Sequence, residues 1–240
     1  MKIPVIRGLI DRRILVNYRV DPAALRRILP AQFRPKLVGG FGIAGICLIR
    51  LKDIRPFGFP ESVGVSSENA AHRIAVEWNQ DGLSRGGVYI PRRDTSSRLN
   101  MLLGGRVFPT IHHHAAFDVM EGDGRYRIVI DSDDGTTHAA VEAEIAARVP
   151  DGSVFGTLEA ASAFFEDGAI GYSPAGEGEL HGLELRSFGW KVEPLAVTRV
   201  ESSFFENREM FPPGSVEFDC ALLMRDIAHE WHARESMKVA

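Results

Sequence analysis

Lysine is scarce in these 240 residues: Lys2, Lys36, Lys52, Lys191 and Lys238 are all there are. Chemistry that needs a lysine amine, such as imine formation with a carbonyl substrate, therefore has few places to reside. Cysteine is scarcer still. Cys47 and Cys220 stand alone, each inside an apolar run (GICLIRL and FDCALLM). Two isolated cysteines exclude a disulfide framework and a thiolate metal cluster, and they fit buried reduced thiols. No apolar run approaches the length of a membrane span, and MKIPVIRGLIDRR lacks the apolar core of a secretion signal. The expectation is a soluble, cytoplasmic chain. A basic excess is also missing. The formal net charge is -4, so no global field favours nucleic acid.

What is present fits one globular domain over residues 1–240. Hydrophobic residues make up 45% and charged residues 25%, which is ordinary for a chain that buries a sizeable core. Turn chemistry recurs at short intervals: Asn79-Gln80-Asp81-Gly82, Gly122-Asp123-Gly124, Asp133-Asp134-Gly135 and Asp151-Gly152. Gly39-Gly40-Phe41-Gly42 reads as a turn between strands, because it lacks the spacing of a phosphate loop. Between the turns, residues 73–78 (RIAVEW), 126–130 (YRIVI) and 141–149 (VEAEIAARV) read as strands. Helices are expected over residues 21–29, 96–104 and 157–166. The first has Asp21 as cap and Pro22 at its opening, and the third has Thr157 as cap. Many short strands with few helices predict a closed or nearly closed barrel, which commonly holds a small ligand.

Candidate chemistry centres on VFPTIHHHAAFDV, residues 107–119. On a strand, His112 and His114 share one face and His113 takes the other. Two imidazoles two apart can chelate a metal ion, with Glu68 of Ser66-Ser67-Glu68-Asn69 as a third ligand; an ordinary polar patch is the competing reading. Arg73, Arg98 and Arg106 flank the expected pocket and suit bidentate carboxylate binding. Arg92-Arg93 and Arg26-Arg27 read as solvated faces. His229-Glu230-Trp231-His232 has one residue too few for a zincin motif, and reads as a charged exposed tail.

Several short motifs, in order, resemble the acetoacetate decarboxylase superfamily. They are Tyr18-Arg19-Val20-Asp21 followed by ALRRILP, then GVSSENA with Glu68, then Gly87-Val88-Tyr89-Ile90, then Gly105-Arg106-Val107-Phe108-Pro109. LEAASAFFEDGAIGYSP and GLELRSFGWKVEPLAVTRVES look like an uncharacterised branch of it, known mainly as a domain of unknown function (2071-like). The resemblance covers about residues 12–220. It implies an α+β, mainly β fold: a cone-like antiparallel β-barrel with a few helices packed outside and an enclosed pocket. It also implies a homo-oligomer and a small organic ligand; no cofactor is expected, and the charge and the short apolar runs argue against nucleic-acid and membrane partners.

True decarboxylases of that family carry a Schiff-base lysine directly after the Phe/Tyr-Pro pair. Here Thr110 and Ile111 follow Phe108-Pro109, and neither forms an imine. Lys52 is the least implausible substitute by elimination. Glu68 matches the family's glutamate. The family's active-site arginine has no clean counterpart, since Asp11 stands at about that position with Arg12 and Arg13 beside it.

The expected site therefore has Glu68, His112 and His114 as acid–base groups, with Arg106, Arg73, Arg98, Thr110 and His113 around the substrate. Lyase- or hydratase-type chemistry on a small organic acid or carbonyl compound follows, and Glu68→Gln should abolish turnover while sparing the fold. The alternatives are a non-catalytic ligand-binding or sensor protein, and a metal-dependent enzyme using His112 and His114.

Overall fold

Five long strands build a shared wall in the computed structural model, which describes residues 4–103, 111–176 and 178–239. They are β1 (Ile6–Val20), β4 (Phe41–Pro56), β5 (Val65–Gln80), β6 (Leu83–Thr95) and β13 (Val216–Lys238), antiparallel in the order β13-β1-β4-β5-β6. Asp81 and Gly82 join β5 to β6 with φ of 52° and 77°. Both lie in the left-handed region that a two-residue type I′ hairpin demands, and Asp and Gly tolerate it best. Asp123-Gly124 does the same between β7 (His113–Gly122) and β8 (Arg125–Ser132). Short strands β2 (Arg34–Pro35) and β3 (Leu37–Val38) pair with β5 and β4, and Gly39-Gly40 turns β3 into β4.

The wall closes twice. In the first ring, β10 (Ile170–Pro174) runs beside β6, and β11 (Glu179–Ser187) bridges β10 to β13. In the second, β7 leaves β6 and continues through β8, β9 (His138–Ile145) and β12 (Glu193–Ser202) to β13. Both strands added to β6 lie parallel to it, so the expected antiparallel barrel is amended at those two seams. At the first seam Gly87 is required. A Cβ there would lie 2.4 Å from the Ile170 carbonyl oxygen, which blocks the approach of β10.

Alternation along the wall sends successive residues to opposite faces. Ile14, Val16, Ile46, Leu48 and Ile74 pack with Ile128, Ile130 and Val141 of the second ring. Leu15, Cys47, Leu51 and Leu222 pack on the other face, with Phe165. Phe165 belongs to α3 (Leu158–Glu166), where Thr157 caps by accepting from the Ala160 N–H at 3.2 Å. Helix α1 (Pro22–Ile28) buries Leu25, and Asp21 accepts from the Ala23 N–H at 2.7 Å. Helix α2 covers Arg98–Leu103.

Two local expectations fail. The strand β9 stops at Ile145, so residues 146–149 leave the sheet. Residues 229–232 are no exposed tail: they lie within β13, with residues 229–231 paired on both sides and His232 paired with β11, and His229 is buried. An isolated stretch of charge cannot reveal that two neighbouring strands cover it.

Two buried histidines tie stability to pH. The His72 ring lies 4.7 Å from the Phe204 ring, and burial, then the charge of Arg92, pulls its pKa down to about 3. Burial, then the charge of Arg13, pulls His229 down to about 4. Both must stay neutral in the fold, whereas the unfolded chain protonates them near 6.5. Their contribution is complete above pH 6.5 and is lost as pH falls towards those lowered values. Between pH 6.5 and 5 each histidine should cost about 2 kcal/mol of stability. Urea midpoints across this range should fall steeply for the parent and less steeply for His72→Phe; parallel curves would contradict the assignment.

Candidate functional site: an arginine-lined cavity

A cavity of about 160 Å³ lies within the first ring. Its lining draws on all seven strands of that ring and on α3. The volume suits a molecule on the order of benzene in size. Much of the wall is apolar, including Leu15, Ile49, Val88, Phe165, Leu183 and Trp231. Its ionisable side chains are mostly basic: Arg13, Lys36, Arg73, Arg93 and His112 line the cavity beside the neutral Asn69, and no carboxylate does among the described residues.

Cross-strand rows place these groups. Asn17, Gly45 and Arg73 are consecutive neighbours across β1, β4 and β5. Gly45 has no side chain to intervene, and Arg73 Nη2 donates to Asn17 Oδ1. The Arg73 guanidinium also stacks 4.7 Å over the Phe165 ring. Leu15, Cys47, Ala71 and Arg93 form the next row, and Arg93 Nε donates to Ser173 Oγ at 3.1 Å. Arg13 Nε donates to Cys47 Sγ at 3.3 Å.

None of these three arginines has a carboxylate partner among the described residues. Burial pulls Arg73 and Arg93 down to about 10. They stay charged at neutral pH, so the cavity carries a standing positive field. Buried charges in proteins are ordinarily paired, and an unpaired cluster in a cavity favours an anionic ligand.

Lys36 was passed over in the sequence, where Lys52 ranked first by elimination. Lys36 lines the cavity, with Nζ 2.6 Å from Asp167 Oδ2 and 4.9 Å from the Phe164 ring centre. Lys52 lies elsewhere, with Nζ 2.6 Å from Asp11 Oδ1. Arg92-Arg93 is also not a solvated face. Arg93 enters the cavity while Arg92 binds Asp94 and Asp134.

The histidines separate. His112 precedes β7 and lines the cavity. His114 Nδ1 lies 2.7 Å from Asp133 Oδ2, and His113 Nδ1 lies 3.1 Å from Asp134 Oδ2. Among the described residues, no three His, Cys, Asp or Glu side chains form a metal-holding group.

Glu68 faces away from the cavity. Asn69, Ala71 and Arg73 of β5 line it, so alternation turns Glu68 to the opposite face. There Arg12, Arg50 and Glu68 are consecutive cross-strand neighbours. Arg12 and Arg50 each bind both Glu68 and Glu121. Burial pushes the Glu121 carboxyl up, but the hydrogen bonds and charges of Arg12 and Arg50 outweigh it and hold the carboxyl below its usual range. Arg98 is exposed at the start of α2 and does not line the cavity. Arg106 and Thr110 lie outside the described residues.

Sequence reasoning thus reached Arg73 and His112 as cavity residues but missed Arg13, Arg93 and Lys36. Strand parity could have found Arg13, which shares a face with Leu15, whereas Arg93 comes level with Ala71 only through the pairing of β5 with β6.

A mainly β sheet closed into a ring around a small cavity defines an acetoacetate decarboxylase-like fold. The solved structures that share it are distant in sequence. An acetoacetate decarboxylase from Legionella pneumophila subsp. pneumophila str. Philadelphia 1 is 12% identical with a TM-score of 0.60, over 97% of this chain and 88% of that one. The enduracididine biosynthesis enzyme MppR, solved with pyruvate, is 12% identical with a TM-score of 0.62, over 100% and 91%. An acetoacetate decarboxylase-like enzyme from Sphingomonas wittichii RW1 is 12% identical with a TM-score of 0.62, over 99% and 94%. No curated protein matches the chain. The chain belongs to the DUF2071 family, described as an uncharacterized conserved protein, whose model matches residues 10–221. Among the described residues no helix is long and apolar enough to cross a membrane.

Proposed function

We propose that the chain binds a small organic carboxylate in the cavity of the first ring. One observation carries this reading: Arg13, Arg73 and Arg93 line one cavity that no carboxylate of the described residues enters. A carboxylate there would accept charge-assisted hydrogen bonds, each worth about 1.5–3 kcal/mol. The apolar wall would take a short carbon chain, and the volume limits its length. MppR has been solved with pyruvate, a ligand of this chemistry and size. Acid–base chemistry of the lyase or hydratase type would start from this bound state, with His112 as the lining group suited to moving a proton. A non-catalytic binder would stop at it.

Thermal unfolding with pyruvate, acetoacetate and 2-oxobutyrate tests the reading, with acetone and acetamide as neutral controls. At about 100 times its dissociation constant a carboxylate should add about 2.7 kcal/mol. That corresponds to a rise in Tm of about 5 °C or more for a chain of this size. The neutral compounds should give none. Equal shifts from carboxylates and neutral controls, or none from any, would overturn the reading.

A further inference from the structure

The cavity also presents a thiol. Cys47 is 7% exposed and lines it from β4. Arg13 donates to its sulfur at 3.3 Å. Ala71, the small residue between Cys47 and Arg93 in their row, keeps bulk out of the space between them. Arg73 is 4% exposed, and its Nε is buried with no hydrogen-bond partner among the described residues. A buried charge without a carboxylate partner is costly, so Arg73 in the lining points independently to an anionic ligand.

Reactive thiols sit in electropositive, partly accessible settings, whereas structural thiols are buried and inert. The second cysteine shows the contrast. Cys220 is 0% exposed and absent from the lining, and burial, then the charge of Asp219, pushes its thiol up to about 12.

We propose that Cys47 is a nucleophile of this cavity, adding reversibly to the carbonyl carbon of a small 2-oxo acid whose carboxylate the arginines hold. The inference rests on the carboxylate-binding reading above. A sulfur lone pair forms the C–S bond while the C=O π pair moves onto oxygen. The thiol proton ends on that oxygen, giving a hemithioketal. Nothing else is consumed, and reversal returns thiol and ketone. Placing the carboxylate on Arg73 and Arg93 brings the adjacent carbonyl carbon towards the sulfur, so that addition becomes effectively intramolecular.

Alkylation of the full chain provides the test. Iodoacetate and iodoacetamide each form a C–S bond and expel iodide, and they differ in charge. Glutathione supplies the ratio for an unassisted thiol. Relative to it, Cys47 should favour iodoacetate over iodoacetamide by at least tenfold, as read by peptide mass spectrometry. Pyruvate should slow the reaction, and Cys220 should stay unmodified. With [2-¹³C]pyruvate the parent should show a carbon signal in the sp³ C–S region that Cys47→Ser lacks.

A glutathione-like alkylation ratio, or the absence of an adduct signal, would overturn the thiol proposal. The carboxylate-induced rise in Tm separates the two readings. Its persistence in the parent and in Cys47→Ser, without an adduct, would remove the nucleophile and leave the binding reading intact. Its absence from the parent would remove both.

Discussion

Arg73→Met should weaken carboxylate binding at least tenfold while leaving the ligand-free protein about as stable as before. Losing one charge-assisted hydrogen bond costs about 1.5–3 kcal/mol of affinity, or roughly tenfold to more than a hundredfold. Stability responds to opposing effects. Removing a buried charge in favour of an apolar side chain of similar volume relieves its desolvation cost, and for whole buried ion pairs such replacement is often neutral or stabilising by about 1–4 kcal/mol. Against that, Asn17 Oδ1 loses its donor, which costs about 1–3 kcal/mol. The stacking over Phe165 is lost too, at about 0.5–1 kcal/mol. These nearly cancel, so Tm without ligand should stay within a few degrees of the parent. Calorimetric titration with pyruvate beside a thermal melt checks both halves. Undiminished affinity would show that Arg73 does not hold the ligand, and a collapsed melt would show that it is a structural residue.

Glu68→Gln should show the reverse pattern. Arg12 is 2% exposed and spans Glu68 and Glu121. Removing one partner from a buried pair costs about 3–5 kcal/mol. Glu121 still holds Arg12, and Glu68 retains some contact with water, so the lower end applies. Tm should fall by about 10 °C. Carboxylate binding should persist, because Glu68 lies across the wall from the cavity. The family resemblance alone suggests an intact fold with turnover abolished. Urea denaturation and ligand titration of one sample distinguish the two patterns. A variant that keeps its stability and loses its ligand would return Glu68 to the site.

These two residues show what could be read from the chain before folding. Local signals were plain: Asp81-Gly82 and Asp123-Gly124 each dictate a two-residue turn, and Asp21 and Thr157 each cap a helix. The closed mainly β architecture followed from many such turns and from the motif order. Side-chain parity was harder. Glu68 and Arg73 are five apart on β5, which puts them on opposite faces, yet both were grouped in one pocket. The pairing with β6 shifts between His72 and Ile74, so even a correct parity count would not place Arg93 beside Cys47. Arg93 looked solvated because its cover comes from β10, some 80 residues later. Lys36 carries no signal in the sequence, because its distance from residues 107–119 along the chain is not its distance in space. Long-range pairing decides all of these, and no local pattern encodes it.

The double closure also sets an order of events in folding. Strand β13 belongs to both rings, pairing with β12 at Ala221–Leu223 and with β11 at His229–Lys238. It follows every other strand in sequence. During synthesis, until β13 emerges, β1, β11 and β12 each present an edge with unpaired amides, and such edges invite pairing between chains. Contacts between β1 and β13 span some 200 residues, the kind of separation that slows folding. The nascent chain is therefore prone to aggregate until β13 has emerged, and this single strand seals both the cavity and the opposite core.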